Sequence, residues 1–220
     1  MGCCLGAFVP GCLDARLEMF EAAAGQAPAG AGAAGGSGGN GGVAGIGGGA
    51  GQTVDAALLL DDFEDQDNHA EPDGWWYPND DGSGPRAEML FEAVTGREPS
   101  YFGAHFAAGP VTGYGAFLGL DLPGGVFDAS GFSTLSFFAR LEPAGDLSVV
   151  LQNPQGDQFE AIRSLDANWQ EVRIPLTAFL STGDGGTLDP AELAHLQLWL
   201  RGEWPEFDLY VDDVWLLREP

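Results

Sequence analysis

Two pairs of adjacent aspartates carry the strongest chemical signal in this 220-residue chain: Asp61-Asp62 in LLLDDFED (residues 58–65) and Asp212-Asp213 in FDLYVDDVWLL (residues 207–217). Both stand in apolar, strand-like sequence. A carboxylate in such a place is costly unless it is paired, hydrogen-bonded or bound to a cation. The chain has 8 basic residues against 33 acidic ones, and every basic residue is Arg. So few organic cations point to a hard divalent cation joining the first and last strands. The plainer reading is two solvated strand ends carrying unbound acids. Catalytic sets are not found. His69, His105 and His195 lie far apart with no zinc spacing. All three cysteines, Cys3, Cys4 and Cys12, precede the apolar half of the chain, and no GxSxG is present. GGSGGNGG is low complexity rather than a phosphate loop, since no strand precedes it and no Lys follows. With 33 acids, two at glycosidase separation would occur in any fold. The expectation is a binding protein, not an enzyme.

Composition divides the chain in three. Residues 1–28 form a leader, in which Leu13, Leu17, Phe20 and Ala24 fall on one stripe of a short helix. Residues 29–56 are a Gly/Ala-rich linker; Gly takes 13 of the 23 positions between 29 and 51. Such a segment buries too little apolar area to offset its ordering entropy and is expected to be a flexible tether. Residues 57–220 hold the Trp, Phe, Leu and Val of one sizeable core. The net charge of −25 excludes nucleic acid and a basic membrane patch as partners. No stretch is long and apolar enough to span a bilayer. The opening GCCLGAFVPGC lacks the basic start of a signal peptide. As the tail of one, its Val9-Pro10-Gly11-Cys12 resembles a lipoprotein cleavage box with Cys12 acylated. A secreted or surface-anchored monomer is expected.

The elements that must position the acids are strands. STLSFFARLE sets Leu135 and Phe137 against Ser136, Phe138 and Arg140, and LSVVLQNP, QFEAIRSL, WQEVRIPL, HLQLWLRG and FDLYVDDVWLL repeat that period of two. VDAALLLDDFE, EMLFEAV, SYFGAHFAAG and YGAFLGLDL are further strands. WWYPNDDGSGP reads as part of a long polar turn, with Asp80-Asp81-Gly82 turning the chain. LDPAELAHL is the one helical piece, with Asp189 as cap and Pro190 in the first turn. The class is all-β, an antiparallel sandwich. Leu135, Phe137, Val149, Leu151, Leu196, Leu198 and Leu200 form the buried set. Trp169 and Trp215 are assigned to the core.

LLLDDFEDQDN, GWWYPNDDGSG, YGAFLGLDL, DASGFSTLSFFARLE, NWQEVRIPLTAF, LDPAELAHLQLWL and FDLYVDDVWLL occur in the order found in jelly-roll carbohydrate-binding modules. Residues 58–217 thus resemble the galactose-binding-like superfamily, notably its β-glucan-binding modules. The resemblance implies a non-catalytic polysaccharide-binding domain with a structural Ca2+, held by Asp62, Glu64 and Asp212 or Asp213. It also implies a ligand site on a concave sheet face. Strand alternation then nominates Arg140, Gln152, Trp199 and Arg201 as an exposed stripe, with Tyr114 where relatives carry another aromatic. Trp75 and Trp76 are either a sugar platform or a plug at one end of the sandwich. The complex I intermediate-associated proteins are similar in fold, so a protein-interaction domain without a glycan site is the alternative.

Overall fold

The computed structural model describes residues 57–71, 73–183 and 186–218. The leader, Cys3, Cys4, Cys12, the 13–24 helix and the Gly-rich linker lie outside the described residues. The strands run β1 Ala57–Asp61, β2 His69–Ala70, β3 Gly74–Asp80, β4 Glu88–Ala93, β5 Phe102–Ala108, β6 Gly115–Asp121, β7 Thr134–Glu142, β8 Gly145–Gln152, β9 Gln158–Leu165, β10 Gln170–Pro175, β11 Leu180–Ser181, β12 His195–Arg201 and β13 Phe207–Leu217. All pairings are antiparallel and form two sheets. Sheet A has the order β10-β7-β13-β5-β4, with β1 also on β13; sheet B has the order β11-β9-β8-β12-β6-β3-β2. This is the antiparallel sandwich expected from the alternation.

The core lies between the sheets because one face of each strand is apolar. Sheet B contributes Leu118, Leu120, Val149, Leu151, Leu196, Leu198 and Leu200; sheet A contributes Phe106, Leu135, Phe137, Leu141, Leu209 and Val211, all buried. The expected buried set is thus buried throughout. The first and last strands do meet: Ala57 to Leu59 pair with Leu217 to Trp215, and Asp61 with Val214. β5 occupies the same edge of β13 over Phe207–Val211, so β1 takes over where β5 ends. At that junction β13 is irregular between Asp212 and Trp215, and Asp213 has φ 49°. The bulge breaks the alternation that would otherwise fix the direction of each carboxylate.

Three expectations are corrected. Gly74–Asp80 is a strand rather than part of a turn, and it carries Pro78. β2 pairs only with Trp75 and Gly74, so Pro78 sits on a free edge where no ladder N–H is missed. The LDPAELAHL helix does not form. Asp189 Oδ1 accepts the Ala191 N–H at 2.9 Å, as a cap would. Leu193, however, exchanges backbone hydrogen bonds with Phe127, and Ala194 N–H goes to Gln152 O, so the chain is drawn into sheet pairing after one turn. Trp169 and Trp215 are half-buried and not in the core. Val214 and Leu216 take the inward positions and leave Trp215 on the outer side of sheet A.

Candidate functional site

The outer face of sheet B gathers four of the five nominated ligand residues. Trp199 of β12 pairs with Phe117 of β6 and Ser148 of β8. Its ring is 4.2 Å from that of Phe117 and 6.0 Å from that of Tyr114. The Arg201 guanidinium lies over it at 4.8 Å. With Phe117, Tyr114 and Arg201 around it, Trp199 is buried at 9% exposure and is not the exposed ring expected of it. Its indole N–H donates to Gln197 Oε1 at 2.8 Å. Arg201 Nε donates to Glu160 Oε1 at 2.7 Å and to Ser148 Oγ at 3.2 Å, and the Ser148 hydroxyl also donates to Glu160. Gln152 lies on the same face beside His195, with its amide donating to Gly156 O at 3.2 Å.

Tyr77, Asp121 and His195, none of them nominated as ligand residues from the sequence, help to complete this surface. Tyr77 of β3 meets Phe117 edge-on at 6.0 Å. Its ring end lies against Gly119, where a Cβ would come within 2.6 Å of Tyr77 Cζ and push the ring aside. Burial pushes the Tyr77 phenol up, with Asp121 adding to the rise, so it remains a neutral hydroxyl. His195 Nδ1 and Asp121 Oδ1 are 2.8 Å apart. Alternation splits the tryptophan pair: Trp76 enters the core at 1% exposure, while Trp75 stays 52% exposed on this outer face, edge-on to His69. Tyr114, 55% exposed, stands at the other end. Trp75 pairs with Asp121, and Tyr114 lies seven residues back along the same strand path, about 23 Å at the rise of a strand. The Tyr114 hydroxyl donates to Asp80 O at 3.0 Å. The acidic loop below it is a turn, as expected: Asp81 accepts the Gly113, Gly115 and Ser83 N–H groups, and the Ser83 hydroxyl holds its carboxyl down to about 2.

Arg140 does not join this surface. Alternation fixes the face of a strand, not the sheet to which that strand belongs, and β7 is in sheet A. There Arg140 lies over Tyr210 at 3.9 Å and over Trp169 at 5.6 Å, and Tyr210 stacks on His105 at 4.2 Å and 1°. His105 Nε2 is 2.7 Å from Asp208 and Nδ1 is 3.2 Å from Glu92.

The acidic pairs separate into two places. Asp61 points inward at 4% exposure; its Oδ2 accepts the Trp76 indole N–H at 2.8 Å and its Oδ1 the Phe63 N–H at 2.7 Å. Burial outweighs both hydrogen bonds and raises its carboxyl to about 7. Asp62 turns outward and accepts the Glu64 N–H at 3.2 Å. Glu64 Oε1 accepts the Tyr101 and Phe102 N–H groups at 2.7 and 3.3 Å, tying the β4–β5 hairpin to β1. Asp212 is fully buried, and burial raises its carboxyl to about 6. Asp213 is also raised, chiefly by burial and further by Asp62 and Glu64 nearby, while Arg97 opposes the rise. Arg97 Nη2 donates to Asp213 Oδ2, and Arg97 Nε is 3.5 Å from Asp212 Oδ2. The four nominated carboxylates are thus neighbours. Among the described residues, however, no group of three or more His, Cys, Asp or Glu side chains is placed to hold a metal ion.

The fold recurs in solved structures. The family 11 carbohydrate-binding module from Clostridium thermocellum, in complex with a β-1,3-1,4-mixed-linked tetrasaccharide, matches 74% of this chain and 95% of its own, with TM-score 0.53 and 19% identity. The family 30 module of a C. thermocellum cellulosomal cellulase matches 74% and 98%, with TM-score 0.54 and 16% identity. The fold is that of the jelly-roll carbohydrate-binding modules. An exo-β-agarase contains a similar domain, matching 74% of this chain and 25% of the enzyme, with TM-score 0.55 and 14% identity. No family model and no curated protein matches the chain. No helix among the described residues is long and apolar enough to cross a membrane.

Proposed function

We propose that the chain is a non-catalytic polysaccharide-binding module that takes a neutral glycan along the outer face of sheet B. The observation that carries this reading is the pair of half-exposed aromatic rings, Trp75 and Tyr114, at the two ends of one sheet face. Between them lies a floor of fixed hydrogen-bonding groups. Pyranose rings present apolar C–H faces that stack on aromatic planes and hydroxyls that need both donors and acceptors. Trp75 and Tyr114 supply the planes. Tyr77, the His195–Asp121 pair and the Arg201–Glu160 pair supply donors and acceptors already oriented by their neighbours, so little ordering entropy is lost on binding. A separation of about 23 Å suits several sugar units rather than one. Fold likeness to a module solved with a tetrasaccharide supports the reading without carrying it. Secretion or surface display, with Cys12 as a lipid anchor, belongs to the same proposal because polysaccharides of this kind lie outside cells.

The test is affinity electrophoresis through gels containing mixed-linkage β-glucan, xyloglucan, galactan or agarose. The wild-type chain should be slowed by at least one of them. Trp75→Ala and Tyr114→Ala should each weaken retention roughly 2- to 10-fold, the range of one aromatic contact, with unchanged circular dichroism because both rings are exposed. Unretarded migration in every gel would remove this reading and leave the protein-interaction alternative.

A further inference from the structure

We propose that the seam between the first and last strands is closed by an internal guanidinium, Arg97, occupying the place that the resemblance implies for a calcium ion. Calcium needs six to eight oxygens around one point, with lone pairs free to face it. One oxygen of each carboxylate here is already engaged by the protein. Glu64 Oε1 is taken by two backbone N–H groups of the β4–β5 hairpin, and Asp62 Oδ1 by the Glu64 N–H. Asp213 Oδ2 receives Arg97 Nη2. Asp212 Oδ1 accepts the Asp213 N–H at 2.9 Å. Two buried polar atoms of the seam have no hydrogen-bond partner, Arg97 Nε and Asp212 Oδ2. These two face each other at 3.5 Å, so the atom best placed to call in a cation already has one beside it.

The guanidinium is not a loose surface group. Its side chain is 10% exposed, against 0% for Asp212 and 23% for Asp213. Its flat face lies 3.6 Å from the centre of the Phe138 ring, which fixes the plane of the fork. Arg97 belongs to the β4–β5 connection, the same segment that Glu64 grips from β1. One fork bridging two carboxylates across a strand bulge is chemistry that a lysine point charge cannot copy. Arg97 therefore ties the hairpin to β13 while Glu64 ties it to β1. The clasp between chain ends is thereby made independent of metal.

Thermal unfolding of the full chain in excess EDTA and in millimolar CaCl2 tests this, with Arg97→Gln and Arg97→Lys alongside and calorimetric titration of Ca2+ as a second readout. The wild-type melting temperature should be the same in both buffers, with no heat of Ca2+ binding at the seam. A ligand held only by the folded state must raise stability, so a wild-type chain stabilised by Ca2+ overturns the proposal. Arg97→Gln leaves the buried Asp212 and the half-buried Asp213 carboxylates uncompensated and should melt on the order of 10 °C lower. Arg97→Lys should fall between the two and decides the matter if the Gln variant does not fold. Variants that melt with the wild type would equally overturn the clasp. The outcome does not depend on whether the module binds a glycan.

Discussion

The inward aspartate of the first pair should make this protein more stable in mild acid than at neutral pH. Asp61 is buried at 4% exposure, and both hydrogen bonds to it, from Trp76 Nε1 and Phe63 N, come from donors that favour the carboxylate. Desolvation still wins, and its carboxyl rises from 3.8 to about 7 in the folded state. The folded form therefore holds the proton more tightly than the unfolded form. The resulting stabilisation is fully present below about pH 4 and is lost as pH rises towards 7. At roughly 1.4 kcal/mol per pH unit, the difference is on the order of 4 kcal/mol. Asp212, raised to about 6, acts in the same direction, so the total must be separated by residue. Urea denaturation at intervals from pH 4.5 to 8.5, on the wild type and on Asp61→Asn, makes that separation. Asn cannot titrate, and the Asp212 contribution is common to both proteins and cancels in their difference. The stability gap between wild type and variant should narrow or reverse as pH rises from 5 to 8. Parallel curves would refute the reasoning, because they would mean that Asp61 is ionised in the folded state at all these pH values.

Trp76→Phe keeps a ring against Phe63 but removes the N–H that Asp61 Oδ2 accepts. A loss of about 2–3 kcal/mol in urea denaturation is expected, with the pH slope displaced upward. Asp81→Ala releases the Gly113 and Gly115 N–H groups that flank Tyr114. Polysaccharide retention should fall more than the melting temperature does, since the loop orients Tyr114 and supports little of the core. Arg140→Ala should cost about 1–2 kcal/mol of stability through its stacked rings and leave retention in polysaccharide gels unchanged.

Much of the fold was legible because period-two alternation is a local property. Each of the second-half strands could be read from its own residues, and so could the buried Leu and Phe positions. The meeting of β1 and β13 was legible for a different reason: each end carries acids that make sense only with company. What escaped reading was non-local. Arg140 and Trp199 show the same local pattern, yet β7 and β12 belong to different sheets, and no feature within either segment says so. Leu193 abandons a helical pattern because Phe127, 66 positions earlier, offers backbone partners. Pro78 suggested a turn, and only the free edge of β3 makes it compatible with a strand. Asp212 and Asp213 lie at a bulge, so counting odd and even positions could not say which would be buried. The role of Arg97 was hidden by the same rule, since its partners lie more than a hundred residues away.

The two outer faces also show why aromatic content alone does not mark a ligand site. On sheet A, His105, Tyr210, Arg140 and Trp169 stand side by side across neighbouring strands, each flat group covering the next. The Tyr210 ring has His105 stacked against it at 4.2 Å and the Arg140 guanidinium 3.9 Å from its centre. A sugar arriving there meets ring edges, and the stacking energy has already been realised within the protein. On sheet B the inner members, Phe117 and Trp199, are likewise used up against each other, at 6% and 9% exposure. Trp75 and Tyr114 have only edge-on or tilted aromatic neighbours among the described residues and remain half exposed, one at each end of an oriented polar floor. Apolar area left in contact with water is what a ligand gains by covering. The same consideration is why the proposed glycan surface is placed on sheet B rather than on the stacked groups of sheet A.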